Sequence, residues 1–206
     1  MVKVTASKSP LKSLEFITLR IKDAVCDRFR VAVGSRPYID TKQPDVRVHA
    51  YLTDSIYELF LDTSGAALFQ RGLRRASVEA PLRENLAAGI LKLSGWKPGV
   101  PLLDPMCGSG TFLLEAAMMA LDIAPGSGRS FGFEKLKNFD AAAWQKIRQK
   151  DLDRAKPLDK AKPIEFQKIY GSDTDLRAVR VTKQKLQQGG LRDAVQLAKA
   201  DITEVV

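Results

Sequence analysis

Apolar side chains recur at Ile17, Ile21, Val25 and Phe29, a four-residue interval that lines them along one face of a helix over residues 16–33, with Gly34 as the stop. Residues 46–52 change period: Val46, Val48, Ala50 and Leu52 alternate with polar positions, which predicts a strand with His49 exposed on its polar face. A second β-type run over residues 56–61, fenced by Asp54-Ser55 and by Thr63-Ser64-Gly65, predicts an antiparallel partner. Leu82, Leu86, Ile90 and Leu93 predict the buried stripe of another helix, with Pro81 in its first turn and Gly95 past its end. From there strands and helices alternate. A short strand at residues 100–103 runs into the loop Asp104-Pro105-Met106-Cys107-Gly108-Ser109-Gly110-Thr111, and a helix follows with Phe112, Leu113, Ala116, Ala117, Ala120 and Leu121 on its apolar face. After Pro125-Gly126-Ser127-Gly128 comes a polar, Lys-rich helical insertion reaching about residue 161. A strand at 164–170 then leads into Gly171-Ser172-Asp173, a helix covers 175–188, and a third strand begins at Val195 and Leu197 and ends at Asp201. The order strand, glycine loop, helix, strand, acid, helix, strand, acid is that of an α/β protein with a doubly wound parallel sheet.

Charge narrows the partner class. Lys+Arg number 33 against 24 Asp+Glu, a net charge of +9 that favours a polyanion through counterion release. The segment at residues 68–75 interleaves Arg71, Arg74 and Arg75 with Leu68, Phe69 and Leu73, a composition suited to phosphate contact or to a charged hairpin, so these three arginines are the expected nucleic-acid-binding residues. Cys26 and Cys107 are far apart and His49 stands alone, so no metal site is expected. With no signal-peptide core and no 18-residue apolar run, the expectation is a soluble cytoplasmic protein without a membrane partner. The oligomeric state is not legible.

A strand that turns through glycines into a helix converges backbone N–H groups and the positive helix end on one point, where an anionic or polar group can bind. Gly108 and Gly110 permit close backbone approach, and Thr111 can cap the helix or hydrogen-bond a ligand carboxylate. No Lys-Ser or Lys-Thr follows the second glycine, which disfavours a nucleoside triphosphate. Leu113 stands where a dinucleotide fold wants its third glycine, and the strand-end acid comes late, which disfavours NAD. A ligand with an amino-acid head, a positive sulfur and a nucleoside fits better. Asp104 can offset the positive charge, the loop amides can meet the carboxylate, Asp173 can accept from ribose hydroxyls and Asp201 from an adenine amine. Taken singly, Asp175 and Asp201 also read as helix-cap or loop acids, and Cys107, without a His or Asn/Asp partner set, reads as a small loop residue rather than a nucleophile.

The runs Ala80-Pro81-Leu82-Arg83-Glu84-Asn85-Leu86-Ala87-Ala88 and Leu103-Asp104-Pro105-Met106-Cys107-Gly108-Ser109-Gly110-Thr111 resemble the THUMP-domain RNA methyltransferases, and within them the bacterial 23S ribosomal RNA guanine-N2 methyltransferases, including the first half of the fused bifunctional large-subunit enzymes. The resemblance extends upstream through residues 21–29, 44–48 and 61–65 and downstream through Gly171-Ser172-Asp173. It implies a partial THUMP (α+β) RNA-binding domain over residues 1–75, then over 76–206 the N-terminal part of a Rossmann-like class I methyltransferase domain. It also implies S-adenosylmethionine as cofactor, held by Asp104, Pro105, Cys107, Gly108, Gly110, Thr111, Asp173 and Asp201 with Asn85 nearby, and ribosomal RNA as partner. The family holds its methyl acceptor with an Asn/Asp-Pro-Pro-Tyr loop. None of the ten prolines here is adjacent to another, so the expectation is a fragment with no catalytic residue of its own, inactive alone. Two other readings stay open: an RNA-binding fragment with a vestigial cofactor loop, and a nucleotide-dependent oxidoreductase of similar topology.

Overall fold

A computed structural model describes residues 1–72, 82–155 and 168–203. The chain divides into two compact units, residues 1–67 with 130–139, and residues 68–129 with 140–206. The expected boundary at 75/76 lies outside the described residues.

In the first unit, β1 (Val2–Ala6) pairs in parallel with β2 (Arg47–Leu52), which pairs antiparallel with β3 (Tyr57–Asp62), in the order β1-β2-β3. The antiparallel pair is as expected. β1 was missed, although Val2, Val4 and Ala6 carry the two-residue alternation. The helix α1 (Leu14–Val33) starts where Ser13 accepts a hydrogen bond from the Phe16 N–H at 3.2 Å, and stops at left-handed Gly34, whose N–H returns to the Arg30 carbonyl. Its innermost side chain is Cys26, whereas Phe29, expected on the packed face, is about half exposed. His49 is half-buried opposite Phe60, not exposed, because β2 is the central strand with neighbours on both sides. A 3-10 turn at Gly132–Lys135 belongs to this unit: the Phe133 N–H donates to the Thr63 carbonyl at 2.9 Å, and Lys135 pairs with Asp45.

The second unit carries α2 (Glu84–Leu93), β4 (Leu102–Asp104), α3 (Thr111–Ala120), α4 (Ala141–Arg154), β5 (Ile169–Asp173), α5 (Leu176–Gln188) and β6 (Gln196–Lys199). The three strands are all parallel, in the order β4-β5-β6, as the alternation predicts. The described β5 runs past the expected end at residue 170 and ends on Asp173 itself; residues 156–167, which include the start of the expected strand, lie outside the described residues. α3 is nearly all buried, from Leu113 to Ala120, and forms the core with Ile169, Leu186, Leu191 and Val195. α4 has no buried residue, in keeping with a peripheral insertion.

The expected stripe of α2 is wrong. Ala87 and Leu91 are the buried pair, while Leu86, Ile90 and Leu93 are exposed by 51%, 41% and 89%. α2 packs against α3, itself lined with alanines, and two helices that meet closely select small side chains, so bulk is a poor guide to the inner face here. Pro81 lies outside the described residues.

Candidate functional site

Asp104 and Asp173 are the last residues of the neighbouring strands β4 and β5, so the parallel pairing brings both acids to one end of the sheet. The loop between β4 and α3 is tied to β5 at several points. The Cys107 N–H donates to the Ser172 carbonyl at 2.9 Å, the Gly108 N–H donates to Asp173 Oδ2 at 2.9 Å, and the Ser172 hydroxyl lies 3.4 Å from the Pro105 carbonyl. Asp173 Oδ1 accepts from the Asp175 N–H at 2.9 Å, so one carboxylate braces two turns.

Helix α5 closes the loop from the other side. Thr182, fully buried, donates its hydroxyl to the Gly108 carbonyl at 2.9 Å. Gly110, at φ 71°, is the N-cap of α3, and a Cβ there would collide with the Thr182 side chain, so both the backbone conformation and the space call for glycine. Thr111 is therefore the first helical residue rather than the cap; its buried hydroxyl lies 3.4 Å from the Ser109 hydroxyl. No side chain caps α3, and its first backbone bond runs from the Leu114 N–H to the Gly110 carbonyl. The N–H groups of Thr111, Phe112 and Leu113 thus have no acceptor within the helix. The Gly108 and Gly110 amides, by contrast, are already used, the latter on the Cys107 carbonyl at 2.7 Å. A carboxylate would meet the first turn of α3 rather than these two glycine amides.

The electrostatics are those of a partly desolvated anionic mouth. Burial raises the Asp104 carboxyl above its ordinary value, the charge of Asp173 adds to the rise, and a hydrogen bond from the Met106 amide opposes it. Burial, then the charges of Asp104 and Asp173, push the Cys107 thiol up to about 11. A thiol so placed, 6% exposed and packed in the core, is not a nucleophile near neutral pH.

The remaining candidates make no hydrogen bond to this loop among the described residues, although the Ala200 N–H just before Asp201 donates to the Asp173 carbonyl at 3.3 Å. Asp201 lies two residues past β6 and turns its Oδ1 to the Thr203 N–H and hydroxyl at 2.9 and 2.8 Å; Asp175 caps α5 through the Arg177 N–H at 2.8 Å. Asn85 lines a separate cavity of about 640 Å³ with Arg71, Lys92, Trp96 and Glu115, to which no residue of the glycine loop contributes.

Arg71 corrects the charge-based reading. Its guanidinium makes a bidentate pair with Glu115 of α3, Nε to Oε1 and Nη2 to Oε2 both at 2.8 Å, with side-chain exposures of 9% and 3%. A buried fork–fork pair leaves little of the guanidinium for phosphate, so Arg71 is a structural residue. Arg74 and Arg75 lie outside the described residues. Sequence reasoning also missed Glu115 and Thr182, though each carries a signal: a lone acid in an apolar helix, and a hydroxyl between Ala178 and Leu186 at four-residue spacing. Among the described residues no His/Cys/Asp/Glu group could hold a metal, and no helix is long and apolar enough to cross a membrane.

The family model for the RMKL-like methyltransferase domain matches residues 71–206, and the THUMP domain model matches residues 1–62. The ribosomal RNA large subunit methyltransferase K/L of Photobacterium profundum is 40% identical over 206 residues, all of this chain but 28% of that protein. The chain thus spans under a third of the length of this curated relative. The crystal structure of SMU.472, assigned as a methyltransferase and solved with SAH, superposes with a TM-score of 0.82 at 32% identity, covering 100% of this chain and 53% of that one. A protein from Listeria monocytogenes described as an N6-adenine-specific DNA methylase superposes with a TM-score of 0.83 at 29% identity, covering 100% and 52%.

Proposed function

The chain belongs to the RMKL-like methyltransferase family, and from that premise we propose that its glycine loop holds S-adenosylmethionine for methyl transfer to a guanine N2 amine of large-subunit ribosomal RNA. The observation that carries the reading is the meeting of Asp104 and Asp173 around an uncapped helix N-terminus, on a loop that Thr182 and Asp173 hold from both sides. Opposite demands meet in that space, acceptors for a cation and for hydroxyls on one side, N–H donors for a carboxylate on the other, and an amino-acid nucleoside satisfies both. When bound, the cofactor supplies an electrophilic methyl group on a positive sulfur. Asp104 offsets positive charge, the first turn of α3 receives the carboxylate, and Asp173, already fixed by two backbone donors, presents its remaining lone pairs to ribose hydroxyls. What these residues contribute is position, since misplacement by about 1 Å can cost ~100-fold in rate. RNA as substrate is supported by the THUMP match and by the net charge of +9.

The test is transfer of a tritiated methyl group to undermodified ribosomal RNA, followed by nucleoside analysis, with the 206-residue chain and with the same chain extended through an Asn/Asp-Pro-Pro-Tyr loop. The reading expects N2-methylguanosine from the extended chain and none from the shorter one. Methylated adenine would overturn the guanine assignment, and stoichiometric transfer by the shorter chain would mean that residues 1–206 complete the active site.

A further inference from the structure

Helix α5 has two faces with different work. The inner face, through Thr182, is bonded to the glycine loop. The outer face carries Arg177, Arg180 and Lys183, all exposed, with Gln184 and Gln187 beside them. At 3.6 residues per turn these five fall within about a third of the helix circumference and run along ~15 Å of its length. Between Leu176 and Gln188 there is no acidic residue.

Some basic residues of the other polar helices are answered by local acids. In α1, Lys22 and Arg30 pair with Asp23 and Asp27; in α4, Arg154 pairs with Asp151 and Asp122. On α5 itself, Lys185 is half-buried and faces Glu84 of α2, which removes it from the outer row. Among the described residues Arg177, Arg180 and Lys183 have no ion-pair partner: Asp175 ahead of the helix spends an oxygen on the Arg177 backbone N–H, and Asp173 is held by the glycine loop and the Asp175 amide. Three unanswered cations in a row flanked by amide side chains match a phosphodiester backbone in charge, and in hydrogen-bond donors where the backbone offers only acceptors.

We propose that the outer face of α5 is an RNA-backbone contact surface within the methyltransferase unit, using Arg177, Arg180 and Lys183 as phosphate ligands. The inference rests on the reading that the chain acts on RNA. It places the polyanion one helix diameter, about 10 Å, from the glycine loop, on an element whose opposite side shapes that loop.

The experiment is the salt dependence of binding of a fluorescein-labelled mixed-sequence single-stranded RNA, followed by anisotropy. The 206-residue chain is compared with a variant carrying Arg177→Gln, Arg180→Gln and Lys183→Gln, and with a charge-keeping variant carrying Arg177→Lys and Arg180→Lys. Loss of three single-strand phosphate contacts should reduce the slope of log K against log salt by about 2. The charge-keeping variant should retain the slope, and all three proteins should melt together because the substituted side chains lie in solvent. A Lys146→Gln, Lys150→Gln variant of α4 reports the effect of bulk charge. An unchanged slope in the triple variant, or a loss per charge equal to that of the α4 variant, overturns the surface while leaving the RNA reading in place. Failure of the unsubstituted chain to bind RNA at low salt overturns both.

Discussion

Asp173 Oδ2 accepts the Gly108 N–H at 2.9 Å, so the acid at the end of one strand fixes the glycine turn that follows its neighbour. The same side chain holds the Asp175 N–H through Oδ1, which makes it a brace before any cofactor arrives. Asp173→Ala should therefore destabilise the unliganded chain, by about 1.5–3 kcal/mol if a single charge-assisted bond dominates. Chemical denaturation of the ligand-free protein checks this. Unchanged stability with weakened cofactor binding would mean that the residue serves the ligand alone.

The Arg71–Glu115 pair gives a second expectation. Arg71→Ala leaves a carboxylate buried in the core side of α3 and should cost about 3–5 kcal/mol, whereas joint replacement with Arg71→Met and Glu115→Leu should recover most of that loss. A double-mutant cycle by urea denaturation measures it. An Arg71→Ala variant of native stability with a flattened RNA salt slope would return Arg71 to the RNA-binding surface.

These two acids mark where the sequence was and was not informative. The glycine loop, the parallel sheet and the strand-end placement of Asp104 and Asp173 were legible because each rests on local pattern: period, turn residues and an acid after an apolar run. Arg71 was misread because composition records charge but not the partner, and Glu115 lies 44 positions away. The face of α2 was misread because alanine is a weak hydrophobic signal yet a strong packing one, and Ala87 is fully buried while Leu93 is not. Thr182 escaped because its importance lies in a bond to a backbone carbonyl 74 positions earlier.

Thr182→Val keeps the shape of the side chain and removes that bond, leaving the Gly108 carbonyl without its hydroxyl donor. A loss of about 1–3 kcal/mol in stability is expected, together with weaker cofactor binding, because the loop loses its tie to α5. Calorimetric titration alongside thermal melting separates the two effects. An unaffected loop would show as native values in both.

Both cysteines should resist alkylation in the folded chain. Cys107 is buried with its thiol pushed up to about 11, and Cys26 is 2% exposed, so iodoacetamide at pH 8 should modify neither until denaturant is added. Mass spectrometry of the digested protein reads the result. Rapid modification of native Cys107 would mean that the loop opens or that the thiol is activated.

Asp104 sets a function against stability. Its folded pKa is raised, so the folded chain holds the proton more tightly than the unfolded one. The stability this group contributes is present in full below the ordinary value of 3.8 and is lost as pH rises through the folded value. Asp104→Asn should accordingly raise the melting temperature of the unliganded chain at pH 7 and remove that step from the pH–stability curve. Equal melting temperatures for the two proteins would mean that the ionised carboxylate is not penalised.

The most direct measurement is isothermal titration of S-adenosylmethionine into the folded 206-residue chain and its Asp104→Asn variant, with NAD as a second ligand. The account predicts one site for S-adenosylmethionine, weakened about 10- to 100-fold by the substitution as expected for a charge-assisted contact, and no heat from NAD. A chain that is folded by melting yet binds NAD instead, or binds S-adenosylmethionine equally well without the Asp104 carboxylate, would contradict it.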